Sequence, residues 1–521
     1  MSPDDRLTFR ETDEAGKAIA TYIYSKQDAP PPGTASIEGR VDEMGSAVPS
    51  SSWSSKPLVA SLSDVFLPSG YPQSVSDDYL PHKELDAEAR NSQDSLQAFC
   101  SSIAGLLSSR AVLQGVGVGN ANASPTSALL LHILQDTSGR IATILFAHRA
   151  GTALEPECKT YRLAADVFND IAMVLDCLSP MVPAGVMRVS ILSTAGVLRA
   201  LCGIAGGSSK ASLSAHFAKW GNLAELNAKD SSQETIISLL GMLVGSVVVS
   251  HVTGFRTTWA ALLALLACHL ALNYAAVRSV QMTSLNRHRA NIAFSAILDS
   301  DPELDLDALI QPTPGPKDIS HKARSKSQVD SLPSRQHSYS ILTPAQVAEK
   351  EYIFPCASAL KWHHNLPAHP SQRHQHLGTA AIGVALPTFC QTAQRASFHT
   401  RIPIASLRIL FEKESYILFL FPRNKTTAGT GWHASILLLT GCTVRCQLKA
   451  WLHALLAARV LCASGARARD VDAVVDAVAG TLSFLNDGAR FEGYLAALVG
   501  AGWEVDIAAL ETKRGRRISF L

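Results

Sequence analysis

Two stretches dominate the hydrophobic pattern. Thr235–Phe255 and Thr257–Val277 each run for about twenty residues without Asp, Glu, Lys or Arg, which is long enough for a helix to cross a bilayer. Gly254 supplies a short turn, Arg256 lies between the two runs and Arg278 closes the far end, so the pattern predicts an antiparallel helical hairpin. Gly241 and Gly245 form a GxxxG face suited to close helix contact. Ser231 and Glu234 have capping-box spacing, which predicts a helix start just before Ile236. The basic run RSVQMTSLNRHR, 278–289, places that end on the cytoplasm-like side of a membrane. A hairpin buried inside a soluble protein is the alternative.

Upstream, apolar residues at Leu96, Phe99, Ile103, Leu106 and Leu107 predict a helix over 94–113, stopping at GVGVG, 115–119. Ser124-Pro125 begins a second helix, reaching Arg149. Its middle carries Asp136 and Arg140, one helical turn apart and able to pair. A third, amphipathic helix over 160–178 puts Asp166, Asn169 and Asp170 on one side. A small-residue apolar helix follows over 186–204, interrupted by Arg188 and Arg199. It runs into the glycine cluster at 203–207 and a polar patch holding Lys210, His216, Asn222, Lys229 and Asp230.

The flanks differ. Residues 1–60 contain one predicted strand, 18–24, then PPPG at 30–33 and a serine run at 50–55, read as a flexible connector. The prolines and glycine of 66–81 predict a fixed turn packed by aromatics, and the charged stretch 83–93 reads as an insertion. Prolines at 312, 314, 316 and 333 mark a disordered linker. Beyond it, strands are predicted at 407–411, 416–421 and 434–439, and helices at about 446–461, 469–486 and 490–501. The expected fold is mainly α. An N-terminal segment (1–60) precedes a helical membrane-associated domain (61–299) holding the transmembrane hairpin. A linker (300–342) then leads to a smaller C-terminal α+β domain (343–521).

Composition supports a membrane-embedded chain. Charged residues make up only 17%, where a soluble domain carries about a quarter. The net charge of +2 gives no basic field for nucleic acid, so no nucleic-acid partner is expected. The ten cysteines are scattered, with only Cys442 and Cys446 close together, and they form no zinc-ligand pattern. They read as small buried residues of a reducing compartment. The N-terminal MSPDDRLTFRETDEAG is acidic and lacks an apolar core, so neither a secretory signal nor an Arg-rich transit peptide is expected.

Candidate chemistry is sparse. GGSSK, 206–210, is not a Walker A loop, because it lacks the first glycine and the hydroxyl residue after Lys210. Glycines and hydroxyls ahead of a helix would still offer N–H groups to an anion, with Lys210 as counter-charge; a glycine break for helix packing is the plainer reading. Lys210, His216, Asn222, Lys229 and Asp230, with Asp166 and Asp170, form the candidate ligand surface. Asp166 and Asp170 would relay a proton or hold a cation if they faced a membrane cavity, and would otherwise be a salt-bridged helix face. Asp136 and Arg140 are a candidate intramembrane ion pair. Five histidines, His363, His364, His369, His374 and His376, lie in a tract broken by prolines, read as a loop without metal-site spacing. No motif of a known catalytic class is found, and no catalytic residue, cofactor or metal is expected.

Several long strings resemble the Root UVB Sensitive family, also called the vitamin B6 photoresponse family. They are FLPSGYPQSVSDDYLP (66–81), DSLQAFCSSIAGLLSSRAVLQGVGVGNANASPTSALLLHILQDTSGR (94–140) and LAADVFNDIAMVLDCLSP (163–180). GGSSKASLSAHFAKWGNLAELNAKDSSQETIISLLGMLVG (206–245) and SLNRHRANIAFS (284–295) continue the series. Looser similarity extends to TPAQVAEKEYIF (343–354), AAIGVAL (380–386) and LFEKESYILF (410–419). The stretch 82–93 departs from the family pattern, as does the histidine tract. The resemblance implies a membrane-associated protein without enzymatic activity. Plant relatives are tied to UV-B responses, vitamin B6 homeostasis, auxin transport and seedling development, and paralogues associate with one another. The expected protein therefore lies in an intracellular organelle membrane, is not secreted, and forms homo- or hetero-oligomers with paralogues. It supports metabolite homeostasis by partner assembly or transport, with a small molecule as a candidate ligand. A transporter with an Asp- and Arg-lined cavity is the first alternative, and a membrane-bound enzyme acting on a phosphorylated ligand at Lys210 and His216 the second.

Overall fold

A computed structural model describes residues 93–116, 125–310, 339–364 except 357, 374–395, 402–422, 431–465 and 470–519 except 514. It also describes 67–79 except 70 and 72, and the strands between residues 6 and 48. The insertion at 82–92, PPPG, the serine run, most of the proline-rich linker and His369 lie outside the described residues. The chain folds as two compact units. The first comprises 1–132, 170–195 and 210–276, and the second 133–169, 196–209 and 277–521.

The first unit opens with an antiparallel sheet of β1 (Arg6–Thr12), β2 (Ala18–Ser25), β3 (Gly39–Val41) and β4 (Ala47–Val48), in that order. Of these the sequence pattern predicts only β2. In β1 the apolar positions are just Leu7 and Phe9, set among charged and hydroxyl residues, so alternation is too short to signal a strand. The helices that follow along the chain are α1 (Gln93–Val116), α2 (Pro125–Ala150), α3 (Cys158–Leu178), α4 (Val186–Phe217), α5 (Leu223–His251) and α6 (Phe255–Ser279), of which residues 133–169 and 196–209 belong to the second unit. Among the described residues, α1 over Ser95–Gly115, α4, α5 and α6 are long and apolar enough to cross a membrane.

Two helix boundaries differ from expectation. The glycine cluster does not break α4, which continues to Phe217. A Cβ at Gly203 or Gly207 would meet nothing within 4 Å, and one at Gly206 only the Ala165 Cβ at 3.6 Å. The glycines thus cost roughly 1 kcal/mol each in propensity, but no steric demand forces a turn. The N–H groups of GGSSK are consequently inside a helix, and no phosphate-type loop exists there. Likewise α5 starts at Leu223, so Ser231 and Glu234 lie within it and do not cap it. LAELNAKD is built of good helix formers, which carry the helix through that local signal.

The pair Gly241 and Gly245 faces α1. A Cβ on Gly241 would come within 2.7 Å of the Ser102 Cβ, and one on Gly245 within 2.7 Å of a Leu106 methyl. Only bare backbone permits this approach. Arg110 on α1 donates to the carbonyls of Val249 and Val252, each at 2.7 Å. It thereby satisfies orphan groups at the end of α5. Arg188 does the same for α1, donating to the Gly115 carbonyl at 2.6 Å. Ala104, Ala111, Met173, Cys177, Leu262 and Leu266 join α1, α3 and α6 in a small core.

The second unit adds α7 (Arg287–Ser300), α8 (Leu306–Ile310), α9 (Pro344–Lys350), β5 (Ala359–His363), β6 (His374–Ile382), α10 (Leu386–Arg395) and α11 (Ile404–Leu410). β7 (Tyr416–Pro422), β8 (Trp432–Leu439), α12 (Val444–Ala463), α13 (Val471–Asn486), α14 (Arg490–Gly500) and β9 (Arg517–Ile518) complete it. The mixed sheet has the order β5-β6-β8-β7, with β9 beside β8. β6–β8 and β8–β9 are parallel, and the other pairs antiparallel. Tyr416–Phe421 of β7 and the inner residues of β8 are almost wholly buried. They meet α12, which is itself buried nearly all round. The chain is therefore mainly α with a C-terminal α+β region.

Three expectations change in this unit. The predicted strand at 407–411 is the helix α11, whose Ile404, Leu407 and Leu410 recur at helical spacing. The histidine tract is not simply a loop: His363 and His374 face each other in register across the β5–β6 pair. Within the basic run 278–289, Arg287, His288 and Arg289 are not solvent-facing, because they begin α7 and are buried in this unit.

Candidate functional site

The first unit holds most of the predicted polar residues, in separate pairs. Lys210 on α4 reaches Asp230 at 2.9 Å and Glu234 at 2.6 Å, both on α5. His216 lies 2.9 Å from Asp78, and both side chains are buried. Asp78 belongs to the segment after Pro68, which is tied to the end of α4 by a bridge between Val75 and Ala218 and by the edge-on packing of Tyr79 and Phe217. Asn222 occupies the N-cap position of α5 without capping it. Its amide nitrogen and oxygen are buried with no hydrogen-bond partner among the described residues. Lys229 is half-buried on the same helix. Asp170 on α3 meets His269 on α6 at 2.9 Å, with both side chains buried. Ser108 donates to buried Asp176 at 3.0 Å.

The remaining predicted residues lie in the second unit. Asp166 is held by Arg162 on its own helix at 3.1 Å. Asp136 and Arg140 come no nearer than 3.9 Å, with both side chains exposed. Their helix, α2, is not one of the four with membrane-spanning length and apolarity.

A dense cluster of buried charge lies where local sequence pattern does not nominate one. Glu351, just after α9, accepts from Lys159 at 2.8 Å and from Arg289 at 3.2 Å, with all three side chains at most 5% exposed. Burial pushes the Glu351 carboxyl up, but Arg289 and then Lys159 outweigh it and hold the carboxyl below its ordinary range. Arg289 also donates to the Ser284 hydroxyl, and Asn286 donates to Glu157 at 3.2 Å. Burial lifts Glu157 to about 7, with Arg289 pulling the other way. His288 accepts the Tyr352 N–H on Nε2 at 3.1 Å. That bond fits a neutral ring, and burial lowers the His288 pKa to about 4. A cavity of about 420 Å³ opens nearby, lined among others by Arg278, Lys350, Tyr352 and His363.

Chemically, the cluster joins the start of α3, helix α7 and the segment after α9 through one carboxylate and two cations. The clue in the sequence is the company of two arginines, a histidine and two asparagines in SLNRHRAN. Its partners lie some 60 residues downstream and 130 upstream, and local pattern cannot show them.

Residues 52–301 match a family model described as the vitamin B6 photo-protection and homoeostasis domain. The chain is 39% identical over 263 residues to RUS family member 1 of Dictyostelium discoideum, covering 50% of this chain and 46% of that protein. It is 34% identical over 236 residues to Protein root UVB sensitive 3 of Arabidopsis thaliana, covering 45% and 51% respectively. It is also 27% identical over 195 residues to the Arabidopsis Protein root UVB sensitive 2, chloroplastic, covering 37% and 42%. The chain thus spans about half the length of the curated relatives it matches. No solved structure matches it.

Proposed function

Through residues 52–301 this chain belongs to the Root UVB Sensitive family, and we propose that it is a non-enzymatic integral membrane protein that supports vitamin B6 homeostasis by assembling with partners. The observation that carries the membrane part is the surface of α5. Leu239, Leu240, Leu243, Val244 and Val247 are all at least 44% exposed along an uncharged stretch. In water such a continuous apolar face is costly, whereas in lipid it is the ordinary solvent-facing side of a helix. The polar residues nominated as a reaction centre are engaged with carboxylates, Lys210 with Asp230 and His216 with Asp78. That supports a structural role over an enzymatic one. A chloroplastic relative supports an organelle membrane.

The membrane part is tested by alkaline carbonate extraction, with retention in the pellet until detergent is added as the expected result. Release by carbonate alone would refute it. The homeostasis part is tested by profiling B6 vitamers in a strain lacking the gene; unchanged vitamers would refute it. Transport is favoured as a second reading by one observation, the buried Asp170–His269 pair among apolar helices. Vitamer uptake into proteoliposomes, abolished by Asp170→Asn, would move the reading from assembly to transport.

A further inference from the structure

We infer that the cavity bounded by Arg278, Ile292, Leu342, Lys350, Tyr352 and His363 binds a small planar ring carrying a phosphomonoester. Its volume of about 420 Å³ suits a single-ring ligand with one substituent group. Arg278 and Lys350 are exposed cations at its edge. The Arg278 guanidinium is positioned by donating to the Glu349 carbonyl at 3.0 Å. Glu351 also lines the cavity, but Lys159 and Arg289 already neutralise it, so it does not repel an anion. Glu349 is the other lining carboxylate, and Arg278 and Lys350 are the arginine and lysine side chains beside it.

Hydrogen bonding and shape point the same way. His363 lines the cavity, and its Nε2, covered from solvent, has no hydrogen-bond partner among the described residues, so it is free to bond to a group that displaces its cover. Burial, then the neighbouring His288 and His374, and then Lys361 and Lys350 lower its pKa to about 3. The ring is therefore neutral near pH 7. Tyr352 presents a half-exposed ring that stacks on His288 with centroids 5.8 Å apart, and Ile292 and Leu342 supply apolar wall. A planar ring would lie against Tyr352 with its phosphate toward Arg278 and Lys350. A metal ion is not the occupant these residues favour, since no group of three His, Cys, Asp or Glu among the described residues is placed to hold one.

The choice of probe, though not the anion chemistry, rests on the vitamin B6 reading. Full-length protein in detergent micelles is titrated calorimetrically with pyridoxine 5′-phosphate, pyridoxine, phenyl phosphate and inorganic phosphate. Pyridoxine phosphate is used because it has no aldehyde to react with surface lysines. Saturable binding of one pyridoxine 5′-phosphate per chain is expected, at least tenfold tighter than pyridoxine or inorganic phosphate. The double variant Arg278→Gln/Lys350→Gln should weaken it at least tenfold, and Tyr352→Ala severalfold. All three side chains are exposed, so unchanged unfolding midpoints are expected alongside. Phenyl phosphate binding as tightly as pyridoxine 5′-phosphate would uphold the cavity's chemistry while counting against vitamin B6 as its ligand. No saturable binding of either ring phosphate, affinity unchanged in the double variant, or inorganic phosphate binding equally well would overturn the inference.

Discussion

Glu351→Gln removes one charge from a triad in which two buried cations depend on it. Lys159 and Arg289 lie 2.8 and 3.2 Å from the carboxylate. At an effective dielectric near 20 each ion pair is worth on the order of 5 kcal/mol before desolvation is subtracted. Breaking a buried pair from one side typically costs about 3–5 kcal/mol, because the remaining charge stays buried and uncompensated. That is a large share of the roughly 5–15 kcal/mol that holds a domain together. Urea unfolding in micelles, followed by tryptophan emission, reads the unit directly, since Trp362 and Trp451 are both in its core. The loss should shrink when Lys159→Met is combined with Glu351→Gln, giving a coupling of at least about 2 kcal/mol in the double-mutant cycle. The carboxyl is held below its unfolded value of 4.5, so its contribution is complete above that pH and fades as pH falls through the folded value. The gap between wild type and Glu351→Gln should therefore close in acid. A single-variant loss below about 1 kcal/mol, or strictly additive effects, would refute the reasoning.

Glu157 has the opposite sign. Its folded pKa of about 7 lies above the unfolded 4.5, so its contribution is complete below 4.5 and is lost as pH rises through 7. Glu157→Gln should stabilise by up to about 3 kcal/mol above pH 8 and by little near pH 4, measured by urea unfolding across pH. His288 and His363 have pKa values lowered to about 4 and about 3 from 6.5. The unfolded state binds more protons in that window, so the unit should lose stability as pH falls below 6.5. His363→Gln should flatten the melting-temperature profile there, and an unaltered profile would show that this ring does not titrate as described. Gly245→Leu should cost about 1–3 kcal/mol by forcing α1 and α5 apart. Gly203→Ala, with open space around its Cβ, should be neutral or mildly stabilising in the same thermal assay.

The apolar helices are legible in the sequence because length and lack of charge are local properties, and α1, α4, α5 and α6 follow from them apart from the end of α4 and the start of α5. What local pattern misreads is priority among signals. Ser231 and Glu234 look like a cap only when the helix-forming residues ahead of them are ignored, and GGSSK looks like a loop only when its neighbours are. In the C-terminal region β7, β8 and α12 are visible because their apolar runs are long, whereas β5 and β6 are not. Their meeting is written as His363 opposite His374, across a proline-rich interval that masks it. Lys210 and Asp170 can be picked out as polar residues beside apolar ones, but nothing local says that Lys210 meets Asp230 or that Asp170 meets His269. The charge cluster around Glu351 is invisible for the same reason. SLNRHRAN reads as a basic membrane flank until Glu351 is brought against it.

That cluster changes how the family match should be understood. The matched stretch ends at residue 301, yet Glu351, the anion that neutralises Lys159 and Arg289 within it, lies 50 residues farther on. Asn291, also within the match, donates to the Ala359 carbonyl at 2.8 Å and accepts from the Trp451 indole at 2.9 Å. Buried cations tolerate neither water-free isolation nor loose partners. Keeping Lys159 and Arg289 is thus physically tied to keeping a carboxylate outside the matched segment. The region beyond residue 301 is on this reasoning part of what makes the matched residues stable, and the cavity beside the cluster draws its wall from both.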